Sequence, residues 1–377
     1  MSRIDELIAE LCPNGVEYKE LREILTIKNG SDYKSFGEGD IPVYGSGGIM
    51  TYVDTFAYDK PSVLIPRKGS IDKLYYVDTP FWNVDTIFYT DIDITKAIPR
   101  YVYHCLLREH LEQYNTAGGV PSLTQKVLNK IKIPVPPLEV QAEIVKILDN
   151  FTELTAELTA ELTARKKQYE YYRDLLLDFG VHRGGTSECE WKTIRLGDIG
   201  KISMCKRIMK SETSPDGDIP FYKIGTFGGE PNAYISKETF EKYKSLYSFP
   251  KKGDILISAA GTIGRTVVYD GEPAYYQDSN IVWIDNDETI VLNRYLYYIY
   301  QLSPWQISTG GTIARLYNDN IANAKINIPS LSEQERIVSI LDRFDKLCND
   351  ISEGLPAEIE ARRKQYEYYR DKLLSFK

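Results

Sequence analysis

The residues best suited to chemistry are cations set beside glycine turns. Gly261-Thr262-Ile263-Gly264-Arg265 is one such turn. Lys68-Gly69-Ser70-Ile71-Asp72-Lys73, preceded by Arg67, is its counterpart earlier in the chain. Each combines accessible backbone amides, a hydroxyl (Thr262, Ser70) and long cationic side chains, a set that suits contacts to phosphates or base edges. The same residues also describe an ordinary tight β-turn with incidental charge. Lys206, Arg207 and Lys210 form a basic cluster, Lys223 follows, and Arg315 comes after Gly310-Gly311. Gln277 and Asn280 carry carboxamides of the kind that pair with adenine edges. Residues 192–252 hold twelve Lys/Arg against seven Asp/Glu, a local net charge of +5 in a chain whose formal charge is −8. The acidic total argues against a protein that coats nucleic acid by charge alone, but leaves room for one local basic face.

No catalytic constellation accompanies these cations. The sequence lacks G-x-x-x-x-G-K-[ST], a G-x-G-x-x-G after a strand, H-E-x-x-H and G-x-S-x-G. The Asn/Asp-Pro-Pro-aromatic tetrapeptide of amino-methyltransferases is missing, since the Pro-Pro pair sits in Val135-Pro136-Pro137-Leu138. Five scattered cysteines without a C-x-x-C pair, and histidines that show no zinc-ligand spacing with them, give no zinc or disulfide framework, so no metal ligands are assigned. No apolar run reaches the roughly 18 residues of a bilayer span. With a charged N-terminus, this points to a cytoplasmic protein.

The elements that must position the cations come in duplicate. KKQYEYYRDLLLDF (166–179) and RKQYEYYRDKLLSF (363–376) agree at eleven of fourteen positions, and LEVQAEIVKILDNF (138–151) and LSEQERIVSILDRF (331–344) at eight of fourteen. The chain is a tandem duplication of variable block and helical block. Weaker echoes link the variable blocks: GDIPVY with GDIPFY, RYVYH with RYLYY, TAGGVPSL with STGGTIARL and KIKIP with KINIP. Short β-branched and aromatic runs bounded by Gly, Pro and Asp predict strands in SVLIPRKG, KLYYVD and DTIFYTDI. Helices are predicted for the first 15 residues and for 97–113. One helix over 139–179 would be roughly 60 Å long, with Ile144, Ile147, Phe151, Leu154, Leu158, Leu162, Tyr169, Tyr172, Leu176 and Phe179 as a seam. Its centre, TELTAELTAELTA, repeats every four residues. The second seam runs through Ile337, Ile340, Phe344, Leu347, Ile351, Ile359, Tyr366, Tyr369, Leu373 and Phe376. Ser332 and Glu335 form a capping-box pattern, and Gly354 and Pro356 predict a kink or break. The fold class expected is α+β, with an internal duplication. Its blocks are 1–135, 136–180, 181–330 and 331–377. Tyr169, Tyr171, Tyr172, Tyr366, Tyr368 and Tyr369 exceed what a two-helix seam can bury, so the outward ones are expected to meet partners.

This arrangement resembles a DNA specificity subunit of a type I restriction-modification system. The likeness covers the whole chain and rests on the two variable halves, the duplicated helical motifs and the TAEL repeat, which most resembles the family branch carrying such repeats. It implies two target-recognition domains at opposite ends of an antiparallel coiled coil, each reading one half of a split site in double-stranded DNA. It also implies two methyltransferase subunits that carry S-adenosylmethionine and the catalytic residues, with two restriction-translocase subunits able to join. The chain itself would hold no cofactor and would not be an enzyme. Two other readings stay open on the residues alone: a self-contained DNA methyltransferase or nuclease with duplicated recognition domains, and a coiled-coil scaffold without DNA specificity.

Overall fold

The structure is a computed structural model that describes residues 3–115, 117–178, 190–307 and 314–376. In chain order, the first half folds as α1 (Arg3–Leu11), β1 (Tyr18–Glu20), α2 (Leu21–Ile24), β2 (Leu25–Asn29), β3 (Ile41–Gly45), β4 (Gly48–Val53), β5 (Ser62–Pro66), β6 (Tyr75–Val77), β7 (Trp82–Asn83), β8 (Ile87–Ile92), α3 (Pro99–Arg108), α4 (Gln125–Leu128), β9 (Lys132–Pro134) and α5 (Leu138–Leu177). The second half continues with β10 (Trp191–Arg195), β11 (Gly200–Ser203), β12 (Ile219–Tyr222), β13 (Tyr234–Ile235), α6 (Lys237–Leu246), β14 (Ile255–Ser258), β15 (Thr266–Val268), β16 (Tyr275–Tyr276), β17 (Ile281–Asn286), α7 (Asn293–Gln301), α8 (Asn318–Ala322), β18 (Lys325–Pro329), α9 (Leu331–Asn349) and α10 (Leu355–Leu373). These form two compact units, one of Met1–Glu161 with Pro356–Lys377, the other of Leu162–Leu355.

The units share one topology. Unit 1 has sheets ordered β2-β8-β5-β6, β4-β3-β7 and β1-β9, and unit 2 has β11-β17-β14-β15, β13-β12-β16 and β10-β18. Every strand of one therefore has its counterpart in the other, in the same place. Central strands read as continuous apolar runs because both faces are covered: Ser62–Pro66 and Ile255–Ser258 are buried at every residue. In unit 1 the core joins Val63, Ile65 and Phe88 of the sheet to Tyr101 and Leu106 of α3, Val140, Ile144 and Leu148 of α5, and Leu374. In unit 2 it joins Ile257 and Val282 to Tyr295 and Ile299 of α7, Ile337 and Leu341 of α9, and Tyr169 and Leu177 of α5.

Each unit thus holds one copy of the first helical motif and the opposite copy of the second. The same side chains do the fastening. Buried Gln141 accepts from Ile98 N at 2.9 Å and donates to Lys96 O and Pro136 O at 2.9 and 2.8 Å. Gln334 repeats this with Leu292 N, Ile290 O and Pro329 O at 2.9, 3.0 and 3.0 Å. Arg100 pairs with Asp149 at 2.8 Å, and Arg294 with Asp342 at 2.6 Å. Phe151 stacks on Tyr369 in unit 1, and Tyr172 on Phe344 in unit 2.

Helix α5 is continuous over 40 residues. Its threonines tolerate the helix by bonding back one turn, Thr155 Oγ1 to Phe151 O and Thr159 Oγ1 to Thr155 O. Several expectations are corrected. The helix predicted over 97–113 stops at Arg108, because His110 takes a left-handed φ of 46° and returns buried Leu111 to the core in a 3₁₀ turn. Helix α9 starts at Leu331 with Ser330 as cap, so Ser332 lies inside the first turn and forms no capping box. The second helical block divides between α9 and α10. Asp350 draws in Ser352 N and Glu353 N, and a Cβ on Gly354 would lie 2.6 Å from the carbonyls of Asp350 and Lys346. Ile351, 86% exposed in this turn, leaves the seam, and Leu154 and Leu347 are also exposed. Phe179, Cys189 and Gly310-Gly311 lie outside the described residues.

Candidate nucleic-acid interface

Four segments of unit 1 meet around the first glycine turn. Arg67 N and Lys68 N both donate to Thr86 O, at 2.8 and 3.3 Å, and Leu123 N donates to Arg67 O at 2.9 Å. Gly69 N donates to Pro121 O at 3.0 Å from a left-handed φ of 83°, a conformation that requires glycine at this bend. The Ser46 carbonyl in the β3–β4 hairpin accepts from the Tyr75 hydroxyl at 3.2 Å. Burial, with the Asp72 carboxylate next in weight, raises the Tyr75 pKa and keeps that phenol a donor. Lys68 and Lys73 are exposed, and neither ammonium has an ion pair among the described residues. Ser70 is part-buried, and its carbonyl accepts from Lys73 N at 3.2 Å. Arg67 is half-covered, with its guanidinium over the Phe88 ring at 5.8 Å.

Unit 2 repeats this backbone wiring. Ala259 N donates to Asn280 O at 2.7 Å and Leu316 N to Ala259 O at 2.9 Å, the counterparts of the Arg67–Thr86 and Leu123–Arg67 bonds. The turn is pinned from within by Ser258, whose Oγ accepts from Arg265 N at 2.9 Å and donates to Thr262 O. Thr262 itself is exposed. The Lys223–Gly229 segment takes the place of the Ser46 hairpin.

The guanidiniums expected to meet DNA are engaged here by the protein. Arg265 Nη1 donates to Phe227 O and Arg315 Nη2 to Ser279 O, both at 2.7 Å. Arg207 Nε pairs with Asp278 Oδ2 at 2.8 Å. These contacts bring Arg207, Arg265 and Arg315 together with Lys223, at the base of the 223–229 loop, as sequence spacing alone did not show. Lys206 instead sits over the Tyr247 ring at 5.0 Å. Lys210 begins a separate 3₁₀ turn and has no hydrogen bond or ion pair with the junction among the described residues. Sequence reasoning missed Ser46, Thr86, Asp278 and Ser279. Only the Asp-Ser-Asn composition of 278–280 signalled a turn there.

The tyrosines divide by role. Tyr169 OH donates to Gln301 Oε1 at 2.7 Å and Tyr366 OH lies 3.0 Å from His104 Nδ1, so both are spent inside their own unit. Tyr172 and Tyr369 stack as described. Tyr171 and Tyr368 are the outward pair, 52% and 62% exposed. Among the described residues, no group of His, Cys, Asp or Glu is arranged to hold a metal, and no helix is long and apolar enough to cross a membrane. The four described cysteines are all buried and unpaired.

The family described as type I restriction modification DNA specificity domain matches twice, at residues 13–165 and 188–361. A type I restriction enzyme specificity subunit of Haemophilus influenzae is 50% identical over 377 residues, covering 96% of each chain. The EcoR124I/EcoR124II specificity subunit of Escherichia coli is 37% identical over 308 residues, 76% of this chain and 73% of that one. Among solved structures, the S subunit of a type I system from M. genitalium aligns over 96% of this chain and 97% of its own, with a TM-score of 0.60 at 16% identity, a likeness of fold.

Proposed function

The chain belongs to the type I restriction modification DNA specificity family, and we propose that each unit's loop junction reads one half of a bipartite site in double-stranded DNA. It is a recognition subunit and not an enzyme, and it directs the catalytic subunits of a restriction-modification complex to that site. One observation carries this reading. The two junctions are wired by the same backbone bonds, yet are built with Arg67, Lys68, Ser70 and Lys73 in one unit and with Thr262, Lys223 and the protein-braced Arg265, Arg207 and Arg315 in the other. A retained frame with different side chains is what reading two unlike half-sites requires.

The finer assignments extend this. Two methyltransferase subunits, each supplying S-adenosylmethionine and catalysis, would meet the helical segments around Tyr171 and Tyr368, and restriction-translocase subunits would join that complex in the cytoplasm. The TAEL repeat would place the chain in the branch whose central helix carries such units. The experiment is methylation of oligonucleotide libraries by the reconstituted complex. A split consensus of two defined halves separated by unspecified bases supports the proposal, and methylation without sequence preference overturns it.

A further inference from the structure

The two junctions differ at one turn in a way that identifies a reading group. In unit 1 the turn between β7 and β8 starts where Val84 N donates to Tyr44 O at 3.0 Å, and closes when Ile87 N donates to Val84 O at 3.2 Å. In unit 2 it starts where Gln277 N donates to Tyr222 O at 2.9 Å, and closes when Ile281 N donates to Gln277 O at 3.1 Å. The unit 2 turn therefore contains one residue more.

That residue is accommodated with strain. Ser279 adopts a φ of 54°, which is costly for a residue with a side chain. Four contacts hold the strained tip. Arg207 takes the Asp278 carboxylate and Arg315 takes the Ser279 carbonyl. Ala259 N donates to Asn280 O at 2.7 Å, and Gln277 Oε1 accepts from Ile224 N at 2.9 Å. The backbone of Asn280 is thus fixed on both sides. Its carboxamide is part-exposed and makes no hydrogen bond among the described residues. A polar group left unpaired on a heavily braced and strained turn is set in place before any ligand arrives, the condition for selective recognition.

We propose that Asn280 is a specificity-determining residue of the second half-site, reading an adenine edge through its paired donor and acceptor, and that Arg207 and Arg315 are positioning residues for it. This rests on the DNA-reading role proposed above. Asn280 pairs its N–H donor and C=O acceptor with N7 and N6 of adenine in the major groove. Each arginine donates to the turn, Arg207 to the Asp278 carboxylate and Arg315 to the Ser279 carbonyl, so removing either loosens the reader instead of deleting it.

The test uses the full complex with its methyltransferase subunits and oligonucleotides permuted at every base of both half-sites. Asn280→Ala should flatten preference at a single position of one half-site by about five- to a hundredfold, the worth of one bidentate pair, and leave the other half unchanged. Asn280→Asp, close in shape, should move that preference from adenine toward cytosine, whose amino group donates to a carboxylate. Arg315→Ala should lower selectivity at the same position, and Arg315→Lys should restore part of it. Unaltered preference in both Asn280 variants, in a complex whose parent discriminates, overturns this assignment. A parent complex that does not discriminate overturns the DNA-reading role itself.

Discussion

Unit 1 and unit 2 solve the same packing problem with the same few bonds and diverge where those bonds end. Gln141 and Gln334 tie strand, turn and helix together through three equivalent contacts each. Arg100 and Arg294 bind equivalent carboxylates on α5 and α9. Beyond this frame the units part. His104 bridges Asp149 and Tyr366 in unit 1, where unit 2 has Tyr298 donating to Asp342. The two-residue β3–β4 turn of unit 1 corresponds in unit 2 to the longer segment 223–233, and unit 2 adds a helix, α6, after β13. Backbone hydrogen bonds do not depend on side-chain identity, so they preserve loop positions while the groups displayed on them change. One scaffold thereby carries two different sets of displayed side chains.

The strongest way to break the comparison is to remove the shared clamp. Gln141→Ala or Gln334→Ala leaves a part-buried amide, a part-buried carbonyl and a buried carbonyl short of a partner. Each should cost about 3 kcal/mol, with the loss confined to its own unit. Denaturant titration followed by hydrogen exchange reads the units separately, and markedly unequal costs would show that the clamps are not equivalent. A smaller effect is expected at the outward tyrosines. Tyr171→Ala with Tyr368→Ala should weaken assembly with methyltransferase subunits by about 2 kcal/mol, on the scale of an interface hot spot. Normal assembly at micromolar concentration removes them from the interface.

His104 sharpens the contrast through pH. Burial holds its pKa below the ordinary value near 6.5, against the opposing pull of the Asp149 carboxylate. The folded chain therefore favours the neutral imidazole, while the unfolded chain takes up a proton below about pH 6.5. The stability this neutral imidazole gives unit 1 should be fully present above that pH and be lost as pH falls through the lowered folded value. His104→Tyr, the unit 2 solution, should remove that dependence in melting curves taken between pH 5 and 7. Smallest in energy is a change of length. Deleting Thr155–Leu158 shortens α5 by about 6 Å while keeping its leucine face aligned. The preferred spacer should change by about one base pair with both half-sites intact, as methylation of stepped-spacer oligonucleotides would show.

Much of this frame was legible in the sequence, because duplication writes the pattern twice. The strands at Ser62–Pro66 and Ile87–Ile92, the 40-residue helix and the equivalence of the two glycine turns follow from composition and repeats. What the sequence did not disclose depends on tertiary contact. Nothing local marks Arg265 as a brace for Phe227, or Ser279 as left-handed, since both follow from neighbours distant in the chain. The seam spacing did place Tyr169 and Tyr366 inward and leave Tyr171 and Tyr368 outward, as the structure has them, but it could not name Gln301 and His104, distant in the chain, as the partners of the two inward hydroxyls. Helical period sorts the faces of a helix, and only the fold supplies what each face meets.

The central claim is that the two junctions read DNA independently, and sequencing methylated sites in a host carrying the complete complex tests it most directly. The parent chain should yield a split motif. Replacing Lys68 and Lys73 with alanine in unit 1 should alter or relax one half of that motif and leave the other half as it was. A single continuous motif, or the same change in both halves, would contradict the account.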